Sequence, residues 1–292
     1  MTRKSRTIPK KIDLLVIDPQ NSFYEMVEPT EQQRRHTGEL CIPGAWQDME
    51  RVASLVRRLG SRLSDIHVTL DTHHQLHIAH PLWFRNTAGE LPQPSTFIRE
   101  EKGRLIGSVA EDNGVHCDIG ELTTARPQLL KRTVDYLRKL ADDNRYRHRL
   151  KPPHCLIGMR GHSIVEPLAE AVLEWEREHL GVADIVTKGS NFWTEHFSAV
   201  VAAVPYPDDP TTFFNTGFVQ TLLDADEILL AGQADGMAET MLDIANFAPF
   251  FTSKFVWLKD ATSQTGRVSP DRWASEMTAR GMRASTTVDY CA

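Results

Sequence analysis

The stretch "ILLAGQADGMAETMLDIANF", Ile228–Phe247, reads as a buried strand, a tight glycine-containing turn and a helix. In an α/β sheet such a turn lies at the carboxyl end of a strand, where ligands and nucleophiles usually sit. Yet it holds no Ser, Cys or Thr before Thr240. Either the turn is a plain connection, or it is a catalytic elbow without its nucleophile.

Working outward, the same pattern recurs. Short runs rich in Val, Ile and Leu end at polar or Gly residues: "IDLLVID" (Ile12–Asp18), "DIHVTLDTHH" (Asp65–His74), the weaker "HCLIG" (His154–Gly158), "ADIVTKG" (Ala183–Gly189), "EILLAGQ" (Glu227–Gln233) and "KFVWLKD" (Lys254–Asp260). Nearly continuous apolar character marks strands covered on both faces, hence a mostly parallel sheet. Helical patterns lie between the runs. In the first, Met49, Val52, Leu55, Val56 and Leu59 recur at helical spacing. Strand–helix alternation predicts an α/β fold: one three-layer α/β/α, Rossmann-like domain over 1–292, with a doubly wound sheet. Residues 1–10 read as a flexible basic arm. Residues from about 77 to 153, rich in Pro and aromatics and then polar and helical, read as a loop and helix insertion. They are expected to pack over the sheet's carboxyl edge without a core of their own.

Composition narrows the function. With 41% hydrophobic and 25% charged residues, the chain is of ordinary globular type. A formal charge of -6 and a pI near 6.1 argue against a polyanion-binding surface, so no nucleic acid is expected. The basic run "RTVDYLRKLADDNRYRHRLK" is interrupted by acids and reads as a solvated helix face. Cys41, Cys117, Cys155 and Cys291 show no metal-knuckle spacing. No apolar run approaches the roughly 18 residues of a membrane span. The expectation is a reduced cytoplasmic setting, a homo-oligomer, and a small-molecule partner rather than a membrane.

The strand ends hold the chemistry. Asp18 precedes Pro19, which suits either a turn starter or a functional carboxylate. Asp71 and His73, two apart at a strand end, share one face. A carboxylate and an imidazole so placed suit a divalent metal: zinc first, with iron and manganese as alternatives. The plainer reading is a surface loop, since His74, His77 and His80 follow closely. A third ligand must come from elsewhere, and His154 is a candidate. Lys188 ends another strand; it is either a solvated turn lysine or a cation placed beside Asp18.

Taken together, these segments resemble the isochorismatase-like cysteine hydrolases, and their nicotinamidase-type branch in particular. "DPQNSF" is similar to that family's opening D-x-Q-x-x-F element, and "LDTHHQLHIAHPLWF" resembles its D-x-H metal element. "KPPHCLIGMRG" looks like W-P-x-H-C-x-x-G-T-x-G, and "VTKGSNFWTEHFSAV" is similar to the segment with the catalytic lysine. "AGQADGMAETM" aligns with G-(Q/E)-A-x-S-H-C-V, and "WLKDATSQTG" with the last strand. The order holds from about Lys11 to Gly266.

The resemblance implies Asp18 as general base, Lys188 as anion stabiliser, and Asp71, His73 and His154 as metal ligands. It places the nucleophile at Ala238, six residues after Gly232. The preceding Ser-His is Gly236-Met237 here, Trp is replaced by Lys151, and Gly-Thr by Gly158-Met159. In the family a thiolate at this helix start attacks an amide carbonyl, and neighbouring backbone N–H groups hold the oxyanion. Gln233, Ala234 and Met237 would form that cradle, with a cis Gln233–Ala234 peptide. Cys155 should point away from His154 if its segment is extended. Phe23, Trp83, Phe84, Phe192 and Trp193 are either walls for a planar ligand or core. The implied activity is hydrolysis of a small planar amide such as nicotinamide, with the nucleophile missing. The alternatives are a non-catalytic small-molecule-binding or scaffolding descendant, and hydrolysis by metal-activated water.

Overall fold

A computed structural model describes residues 10–24, 38–111, 114–143, 145–263 and 270–291; of the expected arm, 1–10, all but Lys10 lies outside them. In chain order the main elements begin with β1 (Ile12–Ile17), α1 (Ala45–Leu59) and β2 (Leu63–Asp71). The inserted segment follows, with β3 (Phe84–Asn86), β4 (Phe97–Glu101), β5 (Arg104–Ala110), β6 (His116–Thr124), α2 (Pro127–Asp143) and β7 (His148–Arg149). The chain then resumes its alternation through α3 (Glu166–His179), β8 (Asp184–Lys188), α4 (Thr216–Leu223), β9 (Glu227–Gln233) and α5 (Ala234–Phe247). It closes with β10 (Phe255–Ser263), α6 (Pro270–Ala279) and β11 (Arg283–Ser285).

The central sheet has six strands in the order β11-β10-β9-β1-β2-β8, and every pairing is parallel. Both β1 and β9 are buried along their whole length, as strands covered on two faces must be. Period two sends Leu14 and Val16 to one face, where they meet Met49 and Val52 of α1 and Leu168 and Trp175 of α3. Leu15 and Ile17 go to the other, against Val219 of α4 and Met237 and Met241 of α5. The result is the three-layer α/β/α fold expected from the alternation.

Two local expectations fail. Residues 154–158 are not a strand; a single bridge joins His73 to Leu156. Pro152 and Pro153 have no N–H to donate, and Cys155 sits at φ +47, so no ladder can propagate. The inserted segment, expected to lack a core, has one. It forms a five-stranded sheet in the order β3-β6-β5-β4-β7 with antiparallel pairings. Trp83, Phe84, Ile98, Leu105 and Leu122 pack there against Leu137 and Leu140 of α2. Its strands bury one face only, so their apolar residues stand among polar and charged ones and leave no run to notice.

Candidate functional site

The carboxyl ends of β1, β2 and β8 bring three of the expected residues together, Asp18, Asp71 and Lys188. Asp71 and Lys188 are register partners across β2 and β8. The Lys188 ammonium lies 2.7 Å from Asp71 Oδ1 and 2.9 Å from Asp18 Oδ2, and it donates to the His196 carbonyl at 3.0 Å. All three charged side chains are buried. Burial alone would push both carboxyls up; for Asp18 it prevails over the attraction of Lys188, and its carboxyl is raised. For Asp71 the pull of Lys188, His73 and His154 prevails over burial, so its carboxyl lies well below the usual range. One ammonium therefore serves one firm carboxylate and one carboxyl that holds its proton more readily.

Asp18 is fixed by local structure. It sits at φ +49, a region most L residues avoid, just before Pro19. The Thr69 hydroxyl donates to Asp18 Oδ1 at 2.7 Å and accepts from the Asp18 backbone N–H at 3.0 Å. Gln20 ties the two strand ends: its amide donates to the Asp71 carbonyl at 2.6 Å, and its oxygen accepts the Asp71 N–H at 2.7 Å.

On the other side of Asp71 lies a buried imidazole cluster. Asp71 Oδ2 is 3.4 Å from His73 Nε2 and 3.7 Å from His154 Nε2. These three residues present their ligand atoms within 4.8 Å of one another. His154 Nδ1 faces the Pro152 carbonyl at 2.9 Å, which leaves Nε2 bare toward the cluster. Both ring nitrogens of His73 and Nε2 of His154 are buried without a hydrogen-bond partner. Orphaned buried nitrogens of this kind are costly unless something occupies them. The donor set of one carboxylate and two imidazoles suits a divalent ion. Gly189, at φ +82, leaves the necessary room: a Cβ there would lie 3.0 Å from the His73 ring.

Sequence reasoning passed over several members of this cluster. His77 and His80, taken as loop histidines, are buried with His73, at ring-centroid distances of 4.4 and 5.4 Å. Burial and the nearby His73 pull the His80 imidazole down to about 3. Glu195 is buried; its carboxylate meets Lys151 Nζ at 2.6 Å and His77 Nδ1 at 3.6 Å. His73, His77 and Glu195 form a second grouping with ligand-like spacing. The signal was available: "LDTHHQLHIAH" places His77 and His80 four and seven residues after His73.

The elbow after β9 is present. Gly232, at φ +110, lets β9 approach β1 so closely that a Cβ would lie 2.3 Å from the Ile17 carbonyl oxygen. Gln233 then caps α5, its side chain accepting the Gly236 N–H at 2.8 Å. The first turn of α5 adjoins Asp18, since a Cβ on Gly236 would lie 3.2 Å from Asp18 Oδ2. Ala238 and Met237 are buried in the apolar cluster that holds Leu15 and Ile17. The expected cis peptide is absent: among the described residues every peptide bond is trans, Gln233–Ala234 included. Gln233, at φ -76 and ψ 119, passes directly from strand to helix as its cap residue.

The proposed aromatic walls divide. Phe23 is buried edge-to-face with His154, at 5.7 Å. Trp83 is fully buried in the core of the insertion, where its indole N–H donates to Thr133 at 2.9 Å, and Phe84 is buried with it. Trp193 packs on Trp83 at 5.1 Å, and Phe192 is partly exposed beside them. Cys155 points into the α1–α3 layer, away from His154; burial holds its thiol well above its usual value.

No family model matches the sequence, and no curated protein sequence matches it. Solved structures do. The yeast nicotinamidase bound to the inhibitor nicotinaldehyde is similar, with TM-score 0.57 and 16% identity over 94% of this chain and 99% of that one. A nicotinamidase/pyrazinamidase of Acinetobacter baumanii gives 0.54 and 17%, covering 97% and 99%. The pyrazinamidase of Pyrococcus horikoshii in complex with zinc gives 0.51 and 15%, covering 94% and 99%. The chain thus has the fold of these nicotinamidases. Among the described residues no helix is long and apolar enough to cross a membrane.

Proposed function

We propose that this chain is a nicotinamidase-type amide-hydrolase site that binds a small planar amide but lacks the nucleophile for thiolate chemistry. The observation that carries this reading is the intact Lys188 bridge between Asp18 and Asp71, beside an elbow whose reactive position is Ala238. Asp18, with its raised carboxyl, is the residue suited to take and return a proton. Lys188 holds the adjacent negative charge, and the α5 backbone offers donors to a ligand oxygen. Asp71, His73 and His154 would hold a divalent ion, zinc by their donor types. Such an ion would supply a Lewis-acidic anchor for a ligand heteroatom. Ala238 has no group that can form a bond to carbon, so no acyl-enzyme can arise there.

The test is turnover of nicotinamide by the unmodified chain and by Ala238→Cys. The unmodified chain is expected to release no ammonia above background. In Ala238→Cys the new sulfur would bond to the carbonyl carbon as the C–N bond breaks, and ammonia would leave with a proton relayed through Asp18. Mass spectrometry should then detect the thioester. If Ala238→Cys stays folded but inert across a panel of planar amides, the non-catalytic descendant becomes the better reading. Chelator-sensitive hydrolysis by the unmodified chain would overturn both in favour of metal-activated water.

A further inference from the structure

The basic run of α2, left over by the site above, lines a cleft of about 450 Å3 against the loop that follows β8. One face of α2, at spacings of three and four, turns Lys131, Arg132, Asp135, Tyr136 and Lys139 toward it. Trp193 and Tyr206 form the opposite wall, their rings nearly parallel at an interplanar angle of 13°. The cleft thus has three cations against a single acid, and Asp135 leans toward Arg138 at 3.9 Å. Among the described residues, none of Lys131, Arg132 and Lys139 has an ion-pair partner.

Arg132 explains what such a cleft would select. Its guanidinium lies 3.4 Å from the centroid of Tyr206 and 4.9 Å from that of Trp193. Cation–π attraction holds the group over these rings, and a planar guanidinium presents its N–H donors from its edge in a fork. A fork held in this way matches two coplanar oxygens. Lys131, the residue before it, and Lys139, two turns after it, add positive charge without shape. The apolar side of the cleft, Trp193, Val204 and Pro205, suits a ring.

The geometry points to a second ligand site, between α2 and the loop through Tyr206, for a planar aromatic carboxylate. Its carboxylate meets the edge of Arg132, and its ring lies against Trp193 and Pro205. The site is separate from the imidazole cluster and does not depend on the reading of Ala238.

Calorimetric titration of the full chain with benzoate tests it, with inorganic phosphate as the second probe. The expected result is one saturable benzoate site that phosphate at equal concentration does not compete for. Arg132→Met should weaken it at least tenfold. The exposed double variant Lys131→Ala/Lys139→Ala, which leaves the stack intact, should weaken it several-fold with an unchanged melting temperature. Three outcomes overturn the proposal: no saturable binding, equal competition by phosphate, or benzoate binding that survives both sets of variants but disappears in His73→Ala. The last would assign the ligand to the buried cluster.

Discussion

The same three strands carry two charge clusters, one at each end, the first buried and the second partly open at Asp184. At the carboxyl end, Asp18 of the β1 turn, Asp71 of β2 and Lys188 of β8 meet around one ammonium. At the amino end, Asp13 of β1, His67 of β2 and Asp184 of β8 meet around one imidazole. In each, a residue of β2 faces its register partner on β8: Asp71 with Lys188, and His67 with Asp184. The difference lies in what is left over. At the amino end both His67 nitrogens face a carboxylate, at 3.5 Å from Asp13 and 3.1 Å from Asp184, and what is left over is one acceptor, Asp13 Oδ1. At the carboxyl end one ammonium holds both carboxyls, yet both nitrogens of the adjoining His73 and Nε2 of His154 have no hydrogen-bond partner. Buried charge by itself marks structure as readily as function; unsatisfied donors beside it are what point to a ligand.

The largest expected effect comes from removing the ammonium. Lys188→Met would leave Asp18 and Asp71 facing each other in a buried site. Losing one partner of a buried ion pair costs about 3–5 kcal/mol. Urea denaturation should show that loss, and a loss under about 1 kcal/mol would mean the cluster is far better solvated than its burial indicates.

Metal addition sharpens the contrast between the two ends. Zinc at one hundred times its dissociation constant should stabilise the chain by about 2.7 kcal/mol. His154→Ala should abolish that gain, whereas His67→Gln should leave it intact. Elemental analysis of protein loaded and then desalted gives the same answer without an activity assay. Equal zinc content in wild type and His154→Ala would remove His154 from the ligand set.

The smallest effect is a pH dependence at the amino end. Burial lowers the His67 imidazole, but its bonds to Asp13 and Asp184 outweigh burial, and its pKa is raised above 6.5. A raised histidine contributes stability that is fully present below its unfolded value near 6.5 and is lost as pH rises through the folded value. Hydrogen bonds to charged groups are worth about 1.5 kcal/mol, less here because Asp184 is partly exposed. Thermal melts from pH 6 upward should therefore fall in wild type relative to His67→Gln. A constant difference across that range would show that His67 stays neutral.

The sequence by itself determined the parallel sheet and the strand-end residues. Continuous apolar runs such as Ile12–Ile17 and Glu227–Gln233 are strands buried on both faces, and position at a strand end places Asp18, Asp71 and Lys188 on one edge of the sheet. It also shows that no Cys, Ser or Thr lies between Gly232 and Thr240, since side-chain identity needs no coordinates. Tertiary structure alone decided the rest. The antiparallel sheet of the insertion buries only one face, so its apolar residues stand among polar and charged ones and show no run. The turn at Cys155 and the trans Gln233–Ala234 bond are backbone choices made by packing and capping. Whether a histidine is a solvated loop residue or a buried donor depends on contacts far along the chain. His77 meets Glu195, more than a hundred residues on, and only folding creates that contact.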